Sequence, residues 1–179
     1  PSFLLLEDWQ LTNAGLVHLK RLTSLRTLSF RRSDTRVTDA GLVHLKGMTS
    51  LQKLDLYGTQ ITDAGLVHLA GLTKLQTLRL GSSRITDAGL EHLKGLPGLQ
   101  ELDFGGSQIT DAGLAHIKEL TKLQDLLLPE GISDAGIAEL KNALPKCKIS
   151  KKDTTVVQCF RNCYRFSYFA TPPQNTPLH

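Results

Sequence analysis

Leucine recurs along the chain in a fixed pattern with a period of 24 residues. Each copy of the pattern reads L-x-x-L-x-[LF], with small departures in the first and last copies. The copies begin at Pro1 (in partial form), Leu25, Leu51, Leu75, Leu99, Leu123 and Leu144. A regular repeat of about 20 to 50 residues is typical of solenoids, in which each unit packs only against its neighbours. The pattern therefore predicts one stack of similar units.

The second half of each unit indicates a short helix. In residues 61–72, Thr62 and Asp63 suit an N-cap, leucines recur at every third position, and Gly71 suits the C-terminal end. These features predict a helix of about three turns. A glycine also recurs inside each predicted helix, although it costs about 1 kcal/mol there relative to alanine. We expect the backbones of neighbouring units to approach closely at these positions, where a Cβ would clash. The glycines are Gly15, Gly41, Gly65, Gly89, Gly113 and Gly136.

One unit thus supplies a strand, a turn and a helix, which is too little apolar surface to bury alone. Neighbouring strands lie about 4.8 Å apart, whereas helix axes need about 8 to 10 Å. A stack of such units must curve, with the strands on the inner side and the helices on the outer side. The sequence therefore predicts an α/β fold, a right-handed solenoid or horseshoe with a parallel concave sheet and convex helices.

The run L-x-x-L-x-L-x-x-[TS]-x-I-T-D-A-G-L resembles the leucine-rich repeat family, in particular its cysteine-containing-like subclass with the ITDxGL segment, in a bacterial style. The resemblance covers about residues 1–150, in about six units. It implies a leucine-rich-repeat solenoid with a surface for protein recognition. Thr59, Ser83 and Ser107 stand where most family members have asparagine or cysteine, and we expect their hydroxyls to bond the backbone of the turn.

Strand alternation places the third, fifth and seventh residues of each run on the concave face. In-register stacking then puts Arg79 between Asp55 and Asp103, each about 4.8 Å away. One outcome is mutual neutralisation of these charges. The sharper hypothesis is a recognition patch, because tyrosine and arginine are favoured at interfaces. The candidate partner-binding residues are Arg31, Lys53, Asp55, Tyr57, Arg79, Glu101, Asp103 and Asp125.

Catalytic and metal sites are not predicted. A histidine column on the helices invites a metal hypothesis, but adjacent helices lie too far apart for their imidazoles to share one ion, and no set of four ligands forms. We expect these histidines to be half-buried and bonded to neighbouring backbone. A serine hydrolase is disfavoured because the serine and histidine columns lie in different parts of each unit. The histidine column is His18, His44, His68, His92 and His116.

The net charge of +4 carries little information about partners. The excess falls after residue 150, where Lys151, Lys152, Arg161 and Arg165 face one acid, Asp153. The repeats themselves are nearly neutral, which argues against nucleic-acid binding. No run of about 18 apolar residues predicts a membrane span. Three cysteines weakly favour a reducing, cytoplasmic compartment.

We therefore expect a non-enzymatic module that binds a protein partner through the concave sheet, without cofactor or metal. The alternative function is a structural spacer or scaffold within a longer protein. The two hypotheses differ in whether the concave side chains are needed for any interaction.

The two ends of the stack raise further expectations. The chain lacks a starting methionine and begins partway through a unit, which suggests a processed chain or a fragment. Phe3 and Leu5 are predicted on the exposed sheet edge, where copies could self-associate. In the last unit, the repeat frame places Lys148 opposite Leu127.

Residues 151–179 leave the repeat pattern and hold five of the ten aromatic residues. Residues 151–170 are expected to form a cap over the last unit, because solenoids need their open ends covered. A docking segment for another chain and a foreign sequence are the alternatives. Residues 171–179, with three prolines, are expected to be an extended tail.

Overall fold

A computed structural model describes residues 3–5, 12–30 and 36–152 of the 179-residue chain. Within these ranges, seven strands form one parallel sheet whose spatial order follows the chain. Each strand pairs with the next along the sequence, as the stacked units predict. The strands are β1 (Phe3–Leu5), β2 (Thr27–Ser29), β3 (Lys53–Asp55), β4 (Thr77–Arg79), β5 (Glu101–Asp103), β6 (Asp125–Leu128) and β7 (Lys148–Lys151).

The leucine columns form the core between the sheet and the helices. The central residues of successive strands are leucines that pair in register and are almost completely buried. The leucines of the helices pack against them in the same continuous cluster. No unit could bury this surface alone, so packing between units provides most of the hydrophobic stabilisation. The register leucines are Leu28, Leu54, Leu78, Leu102 and Leu126.

The helices of the central units are shorter than predicted and partly of the tighter 3-10 type. The prediction of three α-helical turns is wrong there, because leucines at every third residue line one side of a helix with three residues per turn. Every helix in the described ranges is too short or too polar to cross a lipid bilayer. The helical segments are α1 (Asn13–Leu19), α2 (Asp39–Leu42) continuing as 3-10 Val43–Leu45, α3 (Asp63–Leu66) continuing as 3-10 Val67–Leu69, 3-10 Asp87–Gly95, 3-10 Asp111–Gly113 continuing into α4 (Leu114–Ile117), and α5 (Asp134–Ala143).

The threonine before α3 does not act as the predicted local cap, whereas Thr110 and Ser133 do accept a hydrogen bond from the first turn of their own helices. Thr62 precedes α3, but its side chain makes no hydrogen bond to that helix. Instead, the Thr62 amide donates to Asp39 Oδ1 at 2.8 Å and its hydroxyl donates to Asp39 Oδ2 at 2.6 Å. The helix ends at Leu69, before Gly71, and Gly71 does not adopt a left-handed φ. The capping residues therefore connect units.

The same connection recurs in every described unit, and we call it the Asp–Thr ladder. Each carboxylate at a helix start accepts hydrogen bonds from the residue that precedes the next helix. In the first rung an asparagine amide takes the place of the carboxylate. In the last rung the Ser133 amide donates to Asp111 Oδ1 at 2.9 Å. The rungs are Asn13–Thr38, Asp39–Thr62, Asp63–Thr86, Asp87–Thr110 and Asp111–Ser133.

The recurring glycines make room for this ladder. We expected the backbone of the neighbouring unit to approach these glycines closely. A close approach is found, but the group that approaches is a side chain, so the prediction is wrong on that point. A Cβ on Gly65 would overlap Asp39 Oδ1, and one on Gly136 would lie 2.7 Å from Asp111 Oδ1. The δ-methyl group of a leucine in the preceding unit closes the other side of these glycines. A glycine is therefore required where one unit receives the carboxylate of the previous unit.

The last unit is two residues out of the predicted frame, because it is one residue shorter than the 24-residue period and its run does not begin at Leu144. The ladder partners are 23 residues apart in the three rungs from Asp39–Thr62 to Asp87–Thr110, but 22 apart between Asp111 and Ser133. The turn after β6 is thus shortened, and Lys148 pairs with Asp125 rather than with Leu127. Cys147 packs partly buried against the core. Burial raises the pKa of the Cys147 thiol to about 11, which keeps it protonated and unreactive at neutral pH.

The turn hydroxyls follow the predicted bonding only in part. Thr59 Oγ1 donates to the Leu56 carbonyl oxygen at 2.7 Å, as predicted. The hydroxyl oxygens of Ser83 and Ser107 are buried without a hydrogen-bond partner, so the prediction is wrong for them. Serine lacks the methyl group that restricts the χ1 angle of threonine, so the hydroxyl groups of Ser83 and Ser107 are not held in the orientation of Thr59 Oγ1.

Most of the residues predicted to form the cap and the tail lie outside the described ranges, which end at Lys152. The sheet itself continues to Lys151, one residue beyond the predicted end of the repeats. At the other end, Phe3 lies on the edge strand β1 and is 68% exposed.

Candidate functional site

The register of β3, β4 and β5 brings the predicted charged residues together. Asp55 pairs with Arg79, and Arg79 pairs with Asp103, as the repeat frame requires. Glu101 lies two residues before Asp103 on β5 and points to the same face. Three carboxylates therefore surround one guanidinium group on the inner side of the sheet.

Arg79 forms two ion pairs within this group. Its Nη1 lies 3.5 Å from Asp55 Oδ2, and its Nη2 lies 3.9 Å from Glu101 Oε2. The Arg79 side chain remains 24% exposed. Arg79 thus neutralises part of the negative charge of the carboxylates. A partly exposed ion pair of this kind contributes only about 0.2 to 1 kcal/mol to the free energy of unfolding.

Two of the carboxylates also fix the turns that follow their strands. Asp55 Oδ1 accepts a hydrogen bond from the Tyr57 amide at 3.0 Å, and Asp103 Oδ1 accepts one from the Gly105 amide at 2.8 Å. Burial raises the pKa of Asp103 above its ordinary value, against the opposing effects of the Gly105 bond and the Arg79 charge. Asp103 is therefore a desolvated carboxylate for which a nearby cation is favourable.

One edge of the Tyr57 ring lies against Gly81, two residues after the end of β4. A Cβ on Gly81 would lie 2.7 Å from Tyr57 Cδ2 and 2.8 Å from Tyr57 Cε2, so no larger residue fits beneath the ring. Gly105 follows at the same position of the next unit and is also buried. These two glycines form a side-chain-free floor, which we call the glycine floor.

Lys152 reaches Tyr57 from the opposite end of the glycine floor. Its Nζ donates to the Tyr57 hydroxyl at 3.3 Å and lies 5.5 Å from the ring centroid. The same ammonium donates to Ser82 Oγ at 3.5 Å. Its stem runs over Gly105, where an added Cβ would lie 3.0 Å from Lys152 Cδ. The sequence prediction missed Lys152, because it began the last run at Leu144 and so placed Ser150, two residues earlier, at the position that Lys152 takes.

Ser82 holds an unusual backbone conformation beside this ammonium. Its φ is +58°, and the equivalent residues of the neighbouring units are Gly58 and Gly106, with φ of +74° and +84°. A side chain in this left-handed region carries a conformational cost. The Ser82 hydroxyl is therefore kept at a position that elsewhere in the chain is glycine.

The remaining predicted residues lie further from this group. Lys53 is exposed on β3, and Asp125 pairs in register with Lys148 at the last strand. Arg31 lies outside the described residues. We use the name inner-face cluster for the residues that the structure brings together, and these are Asp55, Tyr57, Arg79, Glu101, Asp103 and Lys152.

The histidine column differs in part from its prediction. His44, His68, His92 and His116 are half-buried as expected, whereas His18 is exposed. His68 Nδ1 is buried and has no hydrogen-bond partner, so the predicted backbone bond is absent there. Burial, and then the positive charge of Lys46, lower the pKa of His68. In the part of the chain that the structure describes, no three His, Cys, Asp or Glu side chains are placed to hold a metal ion.

Comparison with known proteins agrees with this architecture. A model of leucine-rich repeats in two copies matches residues 49–95, and a second leucine-rich-repeat model matches residues 73–130. No curated protein sequence matches the chain significantly.

Three solved structures are similar to this chain. Internalin C2 from Listeria monocytogenes is 26% identical with a TM-score of 0.64, over 86% of this chain and 74% of that protein. A second internalin from that strain is 23% identical with a TM-score of 0.58, over 86% of this chain and 48% of its own. A leucine-rich-repeat protein from Leptospira interrogans is 26% identical with a TM-score of 0.58, over 75% of this chain and 33% of its own.

The chain therefore carries leucine-rich repeats and folds as a leucine-rich-repeat solenoid. It spans about half and one third of the length of the latter two proteins. Leucine-rich-repeat folds are typical modules of protein–protein interaction and are generally not enzymes.

Proposed function

We propose that this chain binds a protein partner, without catalysing a reaction, through the inner face of its sheet. The observation that carries the proposal is the inner-face cluster itself. Aromatic and charged side chains from separate units converge there, and all of them except the buried Asp55 remain partly exposed. Tyrosine and arginine supply much of the binding energy at protein interfaces when a partner covers them.

The distribution of side chains supports the inner face over the helical side. On the helical side, Val43 and Val67 are exposed but stand in separate units, with no aromatic residue beside them in the described ranges. On the inner face, side chains from β3, β4 and β5 form ion pairs, and Lys152, which follows β7, reaches Tyr57, which follows β3. Lys53 and Asp125 extend this surface along β3 and β6, and we include them and Arg31 in the proposed binding surface.

Affinity capture with matched variants tests the proposal. Tyr57→Ala combined with Arg79→Glu removes the aromatic ring and reverses the central charge, so partner recovery should fall at least about tenfold, the loss expected from two interface anchors. Lys74→Glu is the control, since it reverses an exposed charge outside the inner face. Both variants are first checked for the wild-type circular dichroism spectrum and melting temperature. Equal recovery with the wild type and the double variant would favour the spacer function instead.

We further propose that the repeats are of the cysteine-containing-like type and bacterial in style. The ITDAGL motif supports this assignment, because its threonine, aspartate and glycine all take part in the Asp–Thr ladder. Screening a partner in extracts of bacterial cells is therefore the first choice for the capture experiment.

A further inference from the structure

We propose that the inner-face cluster is a binding site for a primary ammonium group, such as a lysine side chain of the protein partner, and that Lys152 occupies this site in the free protein. The inference rests on the proposed function, because it names the chemistry that the inner face recognises. It rests on three separate features, which are the seated ammonium, the charge around it and the shape of the floor.

The first feature is the set of groups around the Lys152 ammonium. Two hydroxyl oxygens accept hydrogen bonds from Nζ, at 3.3 Å from Tyr57 and at 3.5 Å from Ser82. The Tyr57 ring lies 5.5 Å from the same nitrogen, within the range of a cation–π interaction. Both hydrogen bonds are long and Lys152 is only half-buried, so a second ammonium can compete for the place.

The second feature is the surrounding charge. Asp55, Glu101 and Asp103 provide three negative charges on the inner face, while Arg79 provides one positive charge among them. Lys152 adds a second positive charge and lowers the pKa of the partly buried Asp103, although burial dominates that pKa. When Lys152 leaves, two negative charges remain uncompensated, which favours a cation from a partner.

The third feature is the glycine floor, whose width suits an unbranched alkyl chain. The Lys152 stem already lies on it, with Cδ packed over Gly105. An added Cβ on Gly106 would lie 3.2 Å from the Lys152 Nζ, so this neighbour too must stay small. The left-handed Ser82 presents its hydroxyl at the point where the stem ends. A lysine side chain of a partner that replaced Lys152 could pack on the same glycine floor, donate to the Tyr57 and Ser82 hydroxyl oxygens and lie against the Tyr57 ring.

Titration with n-butylammonium chloride tests the proposal, with the Tyr57 ring followed by NMR in the full chain carrying labelled tyrosine. The ring signal is assigned by its loss in Tyr57→Phe. Lys152→Ala removes both the ammonium and the stem that covers the glycine floor, so n-butylammonium should bind this variant about two- to fivefold more tightly than the wild type, the factor of an exposed cation–π contact. Lys152→Arg restores a cation and should return the dissociation constant toward the wild-type value.

Lys146→Ala is the matched control, because it removes an exposed lysine near the same end of the chain that makes no described contact with the cluster. It should bind n-butylammonium as the wild type does. Equal dissociation constants for the wild type and Lys152→Ala would overturn the proposal, as would the absence of any Tyr57 response. Binding of n-butanesulfonate that is lost in Lys152→Ala would overturn it too, by identifying an anion site.

The outcomes separate this inference from the proposed function. A normal ammonium response combined with unchanged partner capture by the Tyr57 and Arg79 double variant contradicts the proposed function only. Partner capture that depends on the inner face, without an ammonium response, contradicts only the present inference.

Discussion

The Asp–Thr ladder and the inner-face cluster use the same residue types in opposite ways. In the ladder, each carboxylate takes the same place in every unit and is bonded by the next unit. In the cluster, one repeat position carries Asp55, Arg79 and Asp103 on consecutive strands. A contact that joins neighbouring units must recur in each of them, whereas a surface that recognises a partner need not. The ladder therefore holds the stack, and the cluster is where the stack differs from unit to unit.

The largest effect is expected where a ladder glycine is filled. Gly89→Ala places a Cβ against Asp63 Oδ1 and Leu66 Cδ1, so it should lower the free energy of unfolding by about 2 to 3 kcal/mol. Gly71→Ala is the control, since nothing lies within 4 Å of its Cβ and its φ is not left-handed. It should be neutral or stabilising by up to about 1 kcal/mol. Urea unfolding measures both, and equal effects would contradict the role of the ladder.

The second effect concerns the carboxylate of a ladder rung. Asp63→Ala removes bonds of 2.9 Å to the Thr86 amide and 2.6 Å to its hydroxyl, and should lower the free energy of unfolding by about 2 kcal/mol. Asp63→Asn should cost less than about 1 kcal/mol, because Asn13 already forms a rung with Thr38 through both atoms of its amide. If urea unfolding gives the same loss for both variants, hydrogen bonding is not what the ladder supplies.

A smaller effect of opposite sign is expected on the inner side. Ser82→Gly relieves the left-handed backbone and should raise the free energy of unfolding by about 0.5 to 1 kcal/mol. Ser82→Ala keeps a side chain at the same φ of +58° and should bring no gain. Chemical denaturation distinguishes the two variants. If Ser82→Ala raised the free energy of unfolding as much as Ser82→Gly does, the backbone conformation of Ser82 would not be the source of the conformational cost.

The smallest effects are opposite dependences on pH for the two regions. Burial raises the pKa of Asp103 above 3.8, so the stability that this group contributes falls as the pH rises from 3.8 through its folded-state pKa. Hydrogen bonds from Ser133 lower the pKa of Asp111 below 3.8, so its contribution is present above 3.8 and is lost as the pH falls through its folded-state pKa.

Replacing each aspartate by asparagine, which does not titrate, measures the contribution of that carboxyl group to the pH dependence of stability. Asp103→Asn should gain stability relative to the wild type as the pH rises from about 3 to about 7, and Asp111→Asn should lose it. Melting temperatures across this range give the comparison. Slopes of the same sign for both variants would show that the two carboxylates do not differ in environment.

Sequence reasoning reached the parallel sheet and the inner-face register because both follow from the repeat period. The Asp55, Arg79 and Asp103 row was predicted from strand alternation and is confirmed. The Asp–Thr ladder was missed, because a threonine and aspartate before a helix are as typical of a local cap as of a bond between units. The sequence held one signal for the ladder, which is that Asn13 stands where the later units have aspartate. The side-chain oxygen of either residue can accept a hydrogen bond from the backbone amide of the next unit.

The position of Lys152 could not be predicted, because it depends on a one-residue shortening in the turn after β6. The place of the Tyr57 ring depends on glycine at position 81, which the repeat pattern alone does not connect to the ring. Both features are properties of packing between units. The proposed binding surface therefore stays a prediction for each of its residues, and its test requires a partner.

Site-specific photo-crosslinking in an extract of the source cells tests the central claim most directly. A photoreactive phenylalanine analogue is placed at the exposed inner-face position of Lys53 in one protein, and at Val67, which is 47% exposed on the helical side, in another. The account predicts a discrete cross-linked partner from position 53 that disappears in the Tyr57 and Arg79 double variant. Cross-linking of the same partner from position 67, with none from position 53, would contradict it.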